Sequence, residues 1–121
     1  MTVIGVGIDA VDVLRLEAIL ARREGMAARL FTDGEARAAG GSASRLGARF
    51  AAKEAVMKAL GVGLGAFGFH DVEVVREESG APRLVLRGAA AALAAERGVR
   101  AWHVSLTHTA TLAEAVVIAE G

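Results

Sequence analysis

The stretch RFAAKEAVMKALG, Arg49–Gly61, has helical character throughout, yet a charged pair interrupts its apolar face. Four apolar side chains share one sector of this helix at 100° per residue: Leu46, Phe50, Met57 and Leu60. Lys53 falls inside that sector, and Glu54 lies at its margin, about 40° from Phe50. A charge that is covered by apolar surface needs an ionic partner or a metal. The pattern therefore predicts that other parts of the chain supply partners to this helix.

Glu54 allows two interpretations. It can form an i,i+4 pair with Lys58 on the helix surface, which contributes about 0.3 kcal/mol. It can also act together with Asp9, although the position of Asp9 alone favours an N-cap of the following helix. Two carboxylates on separate elements, beside the basic residues Arg49, Lys53 and Lys58, are typical of Mg²⁺ sites that substrate phosphates complete.

The segments before the long helix predict one strand and two shorter helices. TVIGVGID alternates apolar residues with Gly5, Gly7 and Asp9, which is strand periodicity, and the two glycines indicate that another backbone packs closely on that side. VDVLRLEAILARREG then has helical spacing. Thr32 and Glu35 have the spacing of a capping box. The long helix is expected from about Ser44 to Leu60, with Ser42 or Ser44 as its N-cap.

The second half of the chain predicts mostly antiparallel strands. HDVEVVRE and RLVLRG flank the turn ESGAP and form a hairpin, and AAAALAAERG is a compact helix. RAWHVSLTH and TLAEAVVIAE are two further strands that are close enough to pair. The fold class is therefore α+β, with an antiparallel sheet packed against one long helix plus shorter helices. The length of 121 residues predicts a single domain, 1–121.

Composition and charge narrow the function. Fourteen basic residues balance fourteen acidic ones, so the chain has no global attraction to nucleic acid or to an anionic membrane. The absence of Cys excludes disulfides, zinc thiolate sites and cysteine nucleophiles. The first residues lack the basic region of a signal peptide, and no stretch approaches the roughly 20 apolar residues of a membrane span. We expect a cytoplasmic protein.

Three segments in this order resemble one family. GVGIDAVDVLRL, RFAAKEAVMKALG and WHVSLTHT together span nearly the whole chain and resemble the holo-acyl-carrier-protein synthases, the short branch of the 4′-phosphopantetheinyl transferase superfamily. The resemblance implies the 4′-phosphopantetheinyl transferase fold. It also implies Mg²⁺-dependent transfer of 4′-phosphopantetheine from coenzyme A to a serine of apo acyl carrier protein. The expected second product is adenosine 3′,5′-bisphosphate, and the expected role is in fatty-acid or polyketide synthesis.

The resemblance also assigns roles to particular residues. Asp9 and Glu54 match the Mg²⁺ ligands, and Lys58 matches the lysine that faces the transferred phosphate. The residues that match contacts to coenzyme A are Arg49, Lys53 and His108, with Gly61 and Gly63 as weaker candidates. From its position alone, His108 ends an apolar row and is compatible with a purely structural role. The residues leave open whether Asp9 or a water molecule takes the serine proton.

The first helix is the expected docking surface for the carrier protein. It carries a basic side with apolar anchors: Arg15, Ile19, Arg22, Arg23 and Met26. Three arginines alone are also typical of an ordinary solvated face. The family resemblance favours docking, because carrier proteins are acidic helical bundles and family members grip them with this helix.

The resemblance further implies a homotrimer with coenzyme A bound between subunits. Two other functions are compatible with the residues alone. One is a metal-dependent nucleotide phosphohydrolase that uses the same carboxylates with water as the acceptor. The other is a non-enzymatic module whose arginine-bearing helix binds acidic helical partners.

Overall fold

A computed structural model describes all residues, Met1–Gly121, and confirms an α+β fold with antiparallel sheets. The elements in chain order are β1 (Val3–Asp12), α1 (Val13–Arg22), α2 (Met26–Leu30), α3 (Asp33–Ala39), α4 (Ala43–Ala59), β2 (Val72–Arg76), β3 (Pro82–Leu86), α5 (Gly88–Glu96), β4 (Ala101–His108) and β5 (Leu112–Glu120). A 3₁₀ turn at Phe69–Asp71 precedes β2. None of the helices is both long enough and apolar enough to cross a lipid bilayer.

The strands form two separate sheets around helix α4. One sheet has the order β1-β5-β4, and the other is the hairpin β2-β3; all pairs are antiparallel. Helix α4 packs against β1 and β5. The predicted close approach at Gly5 and Gly7 is confirmed, because a Cβ on them would lie 1.9 and 1.8 Å from the carbonyl oxygens of Ala59 and Ala55. Only glycine therefore allows β1 to lie this close to α4.

The boundary between β1 and α1 differs from the sequence prediction. Asp9 does not end the strand or cap the helix; it pairs with Ala115 inside the β1–β5 ladder. Asp12 is the N-cap instead, and its carboxylate accepts a 3.0 Å hydrogen bond from the Arg15 backbone N–H. The strand continues to Asp12 because β5 supplies a partner as far as Leu112. Asp9 shares the side of Gly5 and Gly7 and thus faces α4.

Helix α2 was not expected from the sequence. The first helix ends at Arg22 with Arg23 as its C-cap, and the chain then turns at Gly25 before α2 begins at Met26. Met26 therefore lies outside the helix to which its pattern assigned it. A helix of five residues is too short to show apolar periodicity, which explains the omission.

The predicted caps and hairpin are confirmed. The Thr32 hydroxyl accepts from the Glu35 N–H at 3.2 Å while the Glu35 carboxylate accepts from the Thr32 N–H at 3.0 Å, which is a complete capping box. Ser42, rather than Ser44, caps α4. The hairpin pairs Val74 with Leu84. These local signals fix where α3 and α4 begin.

Candidate active site

The two predicted metal ligands line one cleft. Asp9 projects from β1, and Glu54 projects from α4, and both border an open cleft of about 460 Å³. Arg15 and Ile19 of α1 form another side of the same cleft, together with Phe50. The structure thus brings together two carboxylates that are distant in sequence and places the arginine-bearing helix beside them.

Electrostatics in this cleft favour a cation. Partial burial raises the pKa of Glu54 above its usual 4.5, the negative charge of Asp9 raises it further, and Lys58 opposes both effects. A divalent cation that binds between two such carboxylates is favoured because it relieves their mutual repulsion.

Lys58 does not form the i,i+4 ion pair with Glu54. Its ammonium instead donates to the Asp9 carboxylate at 3.0 Å and to the Ile8 carbonyl at 2.9 Å. The Lys58 side chain is 53% exposed, whereas Asp9 is 12% exposed. The lysine therefore connects α4 to β1 while its ammonium stays accessible to a ligand in solvent.

Lys53 requires a correction. The resemblance implies a contact to coenzyme A phosphates, but the Lys53 ammonium is fully buried and forms a 2.7 Å ion pair with Glu35. It also donates to the carbonyl oxygens of Phe69 at 2.7 Å and Val72 at 2.5 Å. These three acceptors occupy all three ammonium protons, so no donor remains for a phosphate. The prediction that Lys53 needs an ionic partner is confirmed, and the partner is Glu35.

Arg49 and His108 line a different cavity. This cavity of about 200 Å³ lies between α4, the β2–β3 hairpin and β4. Arg49 is 5% exposed, and burial lowers the pKa of its guanidinium; the charge of Glu35 opposes this effect, while Arg76 and Arg45 add to it. The Arg49 Nε is buried without a hydrogen-bond partner. A buried, unpaired donor among other cations fits an anionic ligand.

Two members of this basic cavity were missed by the sequence analysis. Arg45 and Arg76 also line it. Arg45 lies one helical turn before Arg49, so helical spacing contains the signal for it. Arg76 comes from the end of β2, and only the tertiary packing of the hairpin brings it here.

The glycine candidates line neither of these two cavities. Gly61 lines a groove of about 330 Å³ with Lys58 and Arg97 at the end of α4. Arg97 at the end of α5 donates to the Leu60 carbonyl at the end of α4, so this hydrogen bond joins the two helices beside the groove. Gly63 borders neither the acidic cleft nor the basic cavity. In one chain, the predicted site residues therefore line three cavities, of which the acidic cleft and this groove are connected by the Lys58–Asp9 ion pair.

The donor set of the acidic cleft fits Mg²⁺. No group of three or more His, Cys, Asp or Glu side chains in the chain is arranged to hold a metal. Of the three carboxylates that line the cleft, Asp12 caps α1 through the Arg15 N–H, so Asp9 and Glu54 remain the ligand candidates; two carboxylates suit an ion that completes its shell with phosphate and water. A zinc-type site would need nitrogen or sulfur ligands that this cleft lacks.

A family model for the 4′-phosphopantetheinyl transferase superfamily matches residues 5–117. Holo-[acyl-carrier-protein] synthase from Streptomyces avermitilis is 52% identical over 124 residues and covers the full length of both chains. The chain therefore belongs to this superfamily and, within it, to the holo-[acyl-carrier-protein] synthases, enzymes that transfer phosphopantetheine.

Solved structures agree with this assignment. The synthase from Neisseria meningitidis is 29% identical, has a TM-score of 0.89, and matches 99% of this chain and 100% of its own. The synthase from Bacillus anthracis, solved in complex with CoA (3′,5′-ADP), is 30% identical with a TM-score of 0.81 and matches 100% and 99% of the two chains.

Proposed function

We propose that this synthase uses Mg²⁺ held by Asp9 and Glu54 to transfer 4′-phosphopantetheine from coenzyme A to a serine of apo acyl carrier protein, with release of adenosine 3′,5′-bisphosphate. The observation that carries the proposal is that both carboxylates share one cleft with Arg15 and Ile19 of the docking helix. A carrier protein on α1 therefore presents its serine beside the carboxylates.

The residues around the cleft have distinct tasks. When bound there, Mg²⁺ withdraws charge from the phosphorus under attack and from the departing bisphosphate. Asp9 and Glu54 fix where the diphosphate of coenzyme A lies. Lys58 stays within reach of Asp9 and offers its exposed ammonium to the oxygen that carries the leaving charge. Arg49 and His108 bind phosphate of the nucleotide half in the basic cavity.

The docking surface is supported by the positions of its residues. Arg15, Arg22 and Arg23 are exposed, while Ile19 and Met26 are half-buried. A basic side with partly covered apolar anchors complements an acidic helical partner, and such charge complementarity acts mainly on the association rate.

We further propose a homotrimer in which neighbouring subunits complete the site. The outer face of the β1-β5-β4 sheet exposes Val6 at 57% and Ile8 at 64%, and a second subunit would cover this apolar surface. The separation of the acidic cleft from the basic cavity supports the same idea, because one coenzyme A molecule could then contact carboxylates of one subunit and basic residues of its neighbour. Sedimentation equilibrium measures the oligomeric state.

The test is mass spectrometry of apo carrier protein after incubation with coenzyme A, with Mg²⁺ or with a chelator. The proposal predicts a mass gain of one phosphopantetheine on serine only when Mg²⁺ is present. Release of pantetheine phosphate in the absence of carrier protein would indicate a hydrolase instead. Carrier proteins of fatty-acid and polyketide synthesis, compared in the same assay, identify the client; we propose that it is the fatty-acid carrier.

We also propose that residues 1–121 form one transferase domain. The main buried cluster supports this, because it includes side chains from α4, β2, β3, α5 and β5 and so joins both halves of the chain.

A further inference from the structure

The outer edge of strand β2 is covered by side chains instead of another strand. β2 pairs only with β3, so one row of its backbone groups has no strand partner. On that row, the Val72 carbonyl accepts from the Lys53 ammonium at 2.5 Å, and the Val74 N–H donates to the Glu35 carboxylate at 2.9 Å. The Lys53–Glu35 pair therefore takes the place of a neighbouring strand.

This pair has a complete set of partners without any ligand. Both side chains are 0% exposed, and their charged atoms are 2.7 Å apart. Glu35 also accepts from the Thr32 N–H at 3.0 Å, and Lys53 also donates to the Phe69 carbonyl at 2.7 Å. A buried ion pair contributes little net stability compared with apolar residues of the same volume. Its value lies in the geometry that it imposes on the groups it bonds.

The geometry that it imposes is that of the basic cavity. Val74 and Arg76 of β2 form one wall of that cavity, and Arg49 of α4 forms another. Lys53 lies one helical turn from Arg49 on α4, and the Val74 N–H is bonded directly to Glu35. The ion pair thus sets how far the hairpin stands from the helix.

We propose that Lys53 and Glu35 are positioning residues for coenzyme A: they hold the β2–β3 hairpin at the separation from α4 at which Arg49, Arg76 and His108 face one phosphate. Neither residue touches the ligand. The inference rests on the proposed function for the identity of that ligand, and it extends that function by assigning residues that fix affinity for the nucleotide half.

The test replaces both residues by methionine. The double variant Glu35→Met/Lys53→Met keeps the buried volume and removes the two bonds to the edge of β2, and an apolar pair is compatible with folding. Val117→Ala is the matched control, because it removes buried volume from β5, which forms no backbone pairs with the hairpin and makes no hydrogen bond to the Lys53–Glu35 pair. A second variant, Glu35→Gln, removes the charge at constant size.

We expect the double variant to raise the KM for coenzyme A about 10-fold, with kcat and the KM for carrier protein within about twofold of wild type. Glu35→Gln should shift the KM for coenzyme A in the same direction by less. Val117→Ala should lower thermal stability and leave all three constants unchanged. A purely structural role would instead give the double variant the same kinetic pattern as Val117→Ala, which would overturn the proposal.

Hydrogen exchange provides a readout that does not depend on catalysis. Relative to wild type, amides of 72–76 and 82–86 should exchange faster in the double variant than in Val117→Ala. Unchanged exchange in the hairpin would contradict the inference even if the enzyme is active. A wild-type enzyme that fails to modify carrier protein would instead contradict the proposed function, while the exchange experiment still decides whether the pair holds the hairpin.

Discussion

Helix α4 carries two lysine–carboxylate ion pairs that have similar nitrogen–oxygen distances but differ in burial and in their other hydrogen-bond partners. Lys53 and Glu35 are 2.7 Å apart with both side chains fully buried, whereas Lys58 and Asp9 are 3.0 Å apart with the lysine 53% exposed. In the buried pair, the lysine ammonium and both oxygens of the carboxylate have hydrogen-bond partners within the protein. Asp9 of the exposed pair lines the open cleft together with Glu54, whose pKa is raised by its own burial and by the charge of Asp9.

We therefore propose that the number of ammonium protons already bonded to the protein, rather than charge, separates the structural lysine of this helix from the lysine that binds phosphate. A lysine whose three protons already have acceptors cannot bind phosphate without breaking a buried network. A lysine held by one carboxylate and one carbonyl at the surface retains a proton for a ligand. Substitutions on the two sides of α4 should therefore affect different properties: stability at the buried pair and catalysis at the exposed pair.

The largest effect should come from the side of α4 that lines the open cleft. Glu54→Gln removes one of the two proposed ligand carboxylates, and we expect transfer to fall about 1000-fold or more because developing charge loses its stabilising cation. Initial rates of carrier-protein modification measure this loss, and circular dichroism should show an unchanged fold. Near-normal turnover would remove Glu54 from the mechanism.

At the buried ion pair, Lys53→Met leaves Glu35 buried without its cation. We expect the free energy of unfolding to fall by about 3–5 kcal/mol, as for other broken buried pairs. Urea unfolding at neutral pH measures the change. If this variant is as stable as wild type, the structural role of the buried Lys53–Glu35 pair is contradicted.

Lys58→Met should show the opposite combination. The free energy of unfolding should change by about 1 kcal/mol or less, since the pair is exposed, while kcat should fall about 100-fold from loss of a charge near the leaving group. Measured side by side, Lys53→Met and Lys58→Met should thus separate stability from catalysis. An equal loss of stability in both would contradict the assignment.

A smaller effect is expected at the docking helix. Charge reversal of Arg15 and Arg22 should raise the KM for carrier protein about 10-fold at low salt and less at high salt, because screening weakens steering. Arg83→Glu, an exposed reversal on β3, is the matched control and should leave this KM unchanged. Identical behaviour of the two variants would exclude α1 as the docking surface.

The smallest effect concerns pH and stability without metal. Because the folded-state pKa of Glu54 is raised, its ionised form destabilises the fold: the penalty is absent below about pH 4.5 and complete above the raised pKa. Glu54→Gln should therefore have a higher Tm than wild type at neutral pH, with the difference vanishing in acid. Calorimetry across this range, in the presence of a chelator, measures it. A lower Tm for the variant at neutral pH would contradict the shift.

Local signals allowed much of the fold to be predicted. Caps at Thr32 and Ser42 and the alternation of the strands depend on neighbouring residues, so they can be read from sequence. The long strand β1 was cut short because its last residues pair with β5, a contact that no local pattern contains. The helix at Met26 was missed because it is too short to show a period.

The site residues also divide into those that local sequence patterns indicate and those that only tertiary packing brings together. The spacing on α4 and the strand near the N-terminus left two interpretations of Asp9 and Glu54 open, the family resemblance favoured a shared site, and the structure places both in one cleft. The partner of Lys53 could not be identified, since Glu35 lies on a separate helix and only tertiary packing joins them. The same limit hid Arg76, which belongs to the hairpin wall of the basic cavity.

The central claim is that the carboxylates of Asp9 and Glu54 hold one divalent ion together with coenzyme A. Crystals grown with Mn²⁺ and coenzyme A, measured at the manganese edge, test it directly. We predict a single anomalous peak in the cleft, about 2.1–2.3 Å from an oxygen of each carboxylate and near the diphosphate. A bound diphosphate with no such peak, or a peak that only one of the two side chains contacts, would contradict the account.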